Sequence, residues 1–228
     1  MLKPKAYLSK FNFLAIEPRT EVVTLNWLTA FFIFAACVIL FSEQLPSYVR
    51  QYSFQVFLLI SIISISLTGW RPLLGINAKV VVTIFLLLFV YFGALGILEL
   101  VMHLFGVTGV SNPLTGRSDW FLLAVLAPFL EEIFFRDLVL KAFFYRLNRL
   151  WLAIFLSSLL FMAAHLTLYP GAFFLGIIGC ILVIFTKSLW PSIAFHSISN
   201  LSLIFIPAWF PKIWQFLIEQ GLVSQFYR

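Results

Sequence analysis

Charge is scarce in this sequence. Of 228 residues, nine are Asp or Glu and fifteen are Lys or Arg, 11% in all, whereas a soluble domain carries about a quarter. Cysteine is nearly absent. Cys37 and Cys180 each lie inside an apolar stretch, which leaves no disulfide framework and no cysteine-based metal site. The pattern His-Glu-x-x-His does not occur, so the usual zinc-protease helix is excluded. There is no internal repeat, no low-complexity tract and no basic run interleaved with aromatics, and no nucleic-acid partner is expected. The first twenty residues lack an apolar core followed by small residues, so no removable signal peptide is expected.

What is abundant is apolar surface. Hydrophobic residues make up 62% of the chain, 28 of them Phe, and mean hydropathy is +1.04. These values predict an all-α, polytopic transmembrane bundle whose surface largely faces lipid. Apolar runs long enough to cross a bilayer fall at about 25–42, 54–70, 80–102, 120–140, 151–168, 172–187 and 190–207. Polar and turn-forming signals separate them, among them Ser42 to Pro46, Gly69-Trp70-Arg71-Pro72, Ser111-Asn112-Pro113 and Tyr169-Pro170-Gly171. The run 211–227 reads as an interfacial helix, the alternative being part of an eighth span. The chain thus divides into a three-span region at 1–119, a core at 120–206 and a tail at 207–228, with no separate soluble domain.

The cations orient the bundle. With the N-terminus inside, inner segments hold Lys3, Lys5, Lys10, Arg19, Arg71, Lys79, Lys141, Arg146, Arg149 and Lys187, whereas outer segments hold Arg50, Arg117, Lys212 and Arg228. This is the positive-inside distribution. The net charge of +6 therefore reflects topology and anionic headgroups. Trp70, Trp120, Trp151 and Trp190, near span ends, read as interface anchors.

Against that background, Glu131, Glu132 and Arg136 within one span demand a reason, because an ionised group at a helix centre costs roughly 2.5 kcal/mol or more. Glu132 and Arg136 are four apart and stack on one helical face, where each offsets part of the other's desolvation. Glu131 points about 100° away, free to face a cavity. A purely structural ion pair accounts for Glu132 and Arg136 but leaves Glu131 unexplained. Phe161 and His165 lie one turn apart in the next span, and His196 and Asn200 share a face of the last. A histidine and an amide so placed can donate to one oxygen, or can serve as interhelical glue. Together the set can activate water, since a carboxylate withdrawn from water is a stronger base. It can equally hold a divalent metal such as zinc on Glu131, His165 and His196. Counted along the helix axes from these span ends, His165 falls roughly 10 Å from the level of Glu131 and His196.

The order Glu-Glu-x-x-x-Arg, Phe-x-x-x-His, His-x-x-x-Asn resembles the CAAX-protease and bacteriocin-processing family of intramembrane proteases. The flanking Ala127-Pro128 and Ser188-Leu189 agree with it, and the resemblance covers about 120–206. It implies hydrolysis of a peptide bond in a membrane-anchored or lipidated substrate. Glu131 then matches the base that activates water, assisted by His165. His196 and Asn200 match the residues assigned to the oxyanion, and Glu132 and Arg136 the supporting pair. The family has been described both as metal-dependent and as a metal-free glutamate type, and the metal-free description is favoured here. One departure is Asp137, where members often carry Gly, an extra acid able to draw Arg136 away. The chain without a soluble domain suits a prokaryotic plasma membrane.

Two other classes share the hydrophobic bundle: a catalytically silent immunity or scaffold protein, and a proton-coupled transporter. The second lacks matched repeats and paired broken helices. Outside the motifs, Glu99 and His103 form a four-apart pair expected near the outer interface, and Gly171, Gly176 and Gly179 suit close helix approach.

Overall fold

The computed structural model describes residues 11–41, 43–105, 121–165, 170–210, 212–213 and 215–216. Seven helices in chain order account for the described core: α1 (Pro18–Leu40), α2 (Ser47–Ser66), α3 (Ala78–Leu104), α4 (122–147), α5 (Leu150–Ala164), α6 (Pro170–Thr186) and α7 (Trp190–Trp209). Among the described residues there is no strand. The turn signals at 111–113 and at Tyr169, Trp120, and most of 211–227 lie outside the described residues.

Each helix matches one expected span, but several ends move, and the causes are physical. α1 starts at Pro18, which suits a first turn because its missing N–H has no intrahelical partner anyway. Its polar first turns find partners: Glu21 meets Arg146 at 3.2 Å and Thr20 meets Thr68 at 2.7 Å. α2 begins seven residues earlier than its apolar run and ends at Ser66, because Gly69 turns the chain with φ of +90°. α4 continues past residue 140 to Leu147, where Asn148 adopts a left-handed conformation and closes the helix. The cations that argued for a loop there are accommodated: Lys141 pairs with Asp137, and Arg146 reaches Glu21.

Two helices, α1 and α3, are each long and apolar enough to cross a membrane alone. α3 leaves its flank to the outside, with Val82, Phe85, Phe89 and Ile97 exposed, as lipid contact requires. α5 is only 15 residues long, roughly 22 Å against a hydrocarbon core of about 30 Å. It therefore ends within the depth of the bundle. Phe31 sits at the aromatic centre where α1, α2 and α4 meet, with the rings of Phe54, Phe57, Phe134 and Phe135 at 5.7–6.1 Å.

These altered ends remove the expected 10 Å offset. Measured from the joined ends of α4 and α5, Glu131 lies roughly 23 Å up α4 and His165 roughly 22 Å up α5. α7 starts higher. Leu73 in the α2–α3 loop donates its N–H to Asp137 Oδ2 at 3.0 Å, and its carbonyl accepts from Leu189 N–H at 2.8 Å. The turn before α7 is thus fixed at the level of Asp137. His196 lies seven residues on from Leu189 and Glu131 six before Asp137, close to the same height.

Candidate active site

α4 is not a uniform helix. Leu122–Leu126 and Ile133–Val139 are wound as wider π turns on either side of the α-helical Ala127–Glu132. Pro128 explains part of this, since it has no N–H to give. The preceding residue, Ala127, bonds Leu122 O in the five-residue register. The next bond in that register, from residue 128 to Leu123 O, cannot form. Asn200 Nδ2 donates to Leu123 O instead, at 2.8 Å. In the second wide segment Ser157 Oγ donates to Phe135 O at 2.8 Å. Such bulges occur often at functional sites.

Glu132 is the hub. It is fully buried, and both carboxylate oxygens are engaged. Oε1 accepts from His196 Nδ1 at 2.9 Å, and Oε2 accepts from the Ser192 hydroxyl and stands 3.2 Å from Arg136 Nε. Ser192 and His196 are successive turns of α7, so one carboxylate grips that helix twice. Gly179 of α6 lies directly over the group. A Cβ at this position would stand 2.6 Å from Ser192 Oγ and 3.0 Å from Arg136 Nε. Gly176 packs in the same way on Ser158 of α5, 2.8 Å from its Cβ. Gly176 and Gly179 thus allow the close approach their sequence suggests.

Arg136 is buried completely. Its guanidinium lies 3.7 Å from the ring centre of Phe161, a desolvated cation–π contact of the kind worth about 2 kcal/mol. The same buried ring touches His165 with centroids 4.5 Å apart and His196 at 5.5 Å. Asp137 does not compete for Arg136. It is buried, pairs with Lys141 and caps the Leu73 N–H.

Glu131 and the two histidines come together. Its Oε2 lies 3.7 Å from His165 Nε2 and 3.8 Å from His196 Nε2. This buried oxygen has no hydrogen-bond partner among the described residues. His165 Nδ1 is 2.9 Å from the Phe161 carbonyl. A carbonyl only accepts, so Nδ1 carries a proton, and Nε2 is the ring nitrogen turned toward Glu131. His196 is oriented likewise by Glu132. The three inward atoms lie within 4.8 Å of one another, and each imidazole has an oxygen partner behind it, the support that metal-binding histidines use. The donor set therefore fits a divalent ion such as zinc.

Five of the six expected residues converge: Glu131, Glu132, Arg136, His165 and His196. The amide of Asn200 is engaged by Leu123 O, one turn further along α7. Sequence reasoning missed Ser192, and it named Gly179 for close helix approach without placing it against Glu132. It quoted Phe161 without a role, although its spacing of four from His165 places it one turn below. Glu99 and His103 do not pair with each other: Glu99 accepts from Ile213 N–H at 3.2 Å, and His103 meets Lys212. Trp190 is less an interface anchor than a clamp, its indole N–H donating to Leu74 O at 3.0 Å.

The apolar helices close on a carboxylate between two imidazoles. Residues 113–202 match the family model described as type II CAAX prenyl endopeptidase Rce1-like. This segment is similar to that family, the one whose three motifs the sequence carries, and the match together with the apolar helices supports an integral membrane protein with a CAAX-type protease-like segment. No match to the chain was found among curated proteins or among solved structures.

Proposed function

We infer that the protein cleaves a peptide bond in a membrane-anchored or lipidated substrate with water activated by Glu131 and His165. One observation carries this reading: Glu131 Oε2, buried and without a hydrogen-bond donor, faces two imidazole Nε2 atoms at 3.7 and 3.8 Å. Two acceptors that face each other across this gap are reconciled by a molecule with two hydrogens. Water between Glu131 and His165 gives one hydrogen to each and turns a lone pair outward, toward a substrate carbonyl carbon.

As the water oxygen bonds to that carbon, its proton passes to Glu131 and the carbonyl pair moves onto oxygen. His196, its Nδ1 held by Glu132, presents Nε2 to the oxyanion, which a proton on that nitrogen stabilises. The captured proton then goes to the departing amide nitrogen, and the C–N bond breaks. Arg136 and Ser192 take no part in bond making. They hold Glu132, and Glu132 holds His196.

A second reading rests on the three-donor cluster, in which Glu131, His165 and His196 would hold a divalent ion. Such an ion supplies Lewis acidity and makes bound water a nucleophile near neutral pH. The description of the matching family supports prenylated CAAX tails as the substrate class. The site faces a prokaryotic plasma membrane with the N-terminus on the cytoplasmic side.

The test compares peptide termini of the membrane proteome in cells carrying the wild-type protein or Glu131→Gln at equal abundance. Termini that disappear with the substitution identify both reaction and substrate, and unchanged termini refute the reading. Repeating the cleavage in detergent with a zinc chelator separates the two versions: persistence supports Glu131 and His165 alone, and loss restored by added zinc supports the metal.

A further inference from the structure

We propose that the paired helices α5 and α6 form a short wall of the bundle that gathers lipids with short acyl chains, thinning the bilayer beside it and lowering the headgroup region to His165. The thinning stands on helix lengths, and its value to catalysis rests on the proposed function.

The helices are not of one height. α1, α2, α3 and α7 have 23, 20, 27 and 20 residues, enough to reach about 30 Å or more. α5 has 15 and α6 has 17, roughly 22 and 25 Å. Both fall short of a hydrocarbon core of about 30 Å, by roughly 5–8 Å. They are also neighbours. Gly176 of α6 lies against Ser158 of α5, and the rings of Phe173 and Phe155 meet edge-on, so the two short helices run side by side. Tilting them does not make up the deficit, because tilt shortens the reach of a helix along the bilayer normal.

Their outer face belongs to lipid. Trp151, Phe155, Phe174 and Phe185 are exposed on it. At one end stand Arg149, just before α5, and Lys187, just after α6, both exposed cations that need water or headgroups. At the other end α5 stops at His165. The last four carbonyls of a helix have no partner within it, and hydrocarbon offers them none. The polar surface of the bilayer must therefore descend to the end of α5. α3 makes the contrast. It packs on α7 through Tyr91 with Ser202 and Phe92 with Phe205, and its exposed apolar residues run from Val82 to Leu104, roughly 33 Å. One chain thus asks for two hydrocarbon thicknesses.

The short side is the one that carries the site. The side chain of His165 is 35% exposed and that of Glu131 17%. A lowered headgroup region sets both at the edge of the polar zone, where water and the backbone of a substrate reach them without crossing hydrocarbon.

The experiment reads lipid selection at two places on the purified full-length chain. Vesicles mix dimyristoleoyl with dierucoyl phosphatidylcholine, one or the other brominated to quench tryptophan. Ile181→Trp reports from the short wall and Phe89→Trp from α3, both at exposed positions, with the quenching of the parent protein subtracted. Phe174→Trp repeats the first measurement on the same face. The reporters at 181 and 174 are expected to select the shorter lipid by about threefold or more, and the one at 89 the longer lipid or neither. Arg149→Leu, which removes a cation bounding the short face, is expected to weaken selection at 181 and leave that at 89 unchanged. Glu131-dependent cleavage is expected to be at least about tenfold slower in dierucoyl than in dimyristoleoyl vesicles.

Equal selection at the two places overturns the proposal. Selection that leaves cleavage the same in both lipids overturns the link to His165. If neither lipid supports Glu131-dependent cleavage, the proteolytic reading fails, while the reporters still decide the thinning.

Discussion

Glu132 accepts the Nδ1 proton of His196 at 2.9 Å, with both side chains buried. That single bond links the two halves of the site. It joins α4 to α7, and it turns Nε2 of His196 toward Glu131, where His165 Nε2 also points. Behind it stand Ser192, Arg136 and the bare backbone of Gly179, which pack on Glu132 and so help set where His196 sits.

Gly179→Ala is expected to destabilise the protein by overpacking, by about 1–3 kcal/mol. The added methyl would stand 2.6 Å from Ser192 Oγ and 3.0 Å from Arg136 Nε. Combining it with Ser192→Ala removes the closer of these contacts. Thermal unfolding in detergent should therefore rank the double variant above Gly179→Ala alone. The reverse order would mean that α6 does not close over the cluster as described.

Phe161→Ala removes the ring that lies beneath Arg136 and against both histidines. Truncating a buried Phe costs about 3–5 kcal/mol, and here a buried guanidinium also loses its apolar face. Arg136→Lys should fail as well, because an ammonium cannot both stack on Phe161 and meet Glu132 edge-on. Melting temperature and cleavage should fall in both variants. Full retention of either in Arg136→Lys would show that charge alone suffices.

How much of this was legible in the sequence depends on where the cause lies. Glu131, Glu132, Arg136, His165 and His196 were visible because ionisable groups in apolar spans have few innocent explanations, and helical spacing predicted which would pair. Their common depth was not visible. Lys141 and Arg146 were read as marking the end of a span, yet α4 carries both onward because Asp137 and Glu21 neutralise them. Asp137 stands at pairing distance, four residues before Lys141, but Glu21 could not be assigned from spacing, since it lies 125 residues from Arg146. Gly179 was legible as a site of close approach, but which atoms approach it depends on the fold. The role of Asn200 was hidden for another reason. Its amide meets the carbonyl of Leu123, and only coordinates join positions 77 residues apart in sequence.

Asp137 provides an independent check on the scaffold. It neutralises buried Lys141 and caps the Leu73 N–H. Asp137→Ala strands a buried ammonium, at a cost of about 3–5 kcal/mol. Replacing both partners, as Asp137→Ala/Lys141→Met, should be milder than the single change. Denaturation of the three variants in detergent measures this. A double variant no more stable than Asp137→Ala would show that the Leu73 bond, rather than the ion pair, is what the aspartate provides.

The most direct test of the account is the cleavage rate of Glu131→Gln, measured with purified protein in lipid vesicles on a substrate identified from its termini. Glutamine keeps the size of the side chain and removes its basicity. The account predicts normal insertion and folding with cleavage reduced on the order of 10²–10⁴-fold, the usual contribution of a positioned general base. Cleavage at the wild-type rate would contradict it, because the carboxylate between His165 and His196 would then have no part in the reaction.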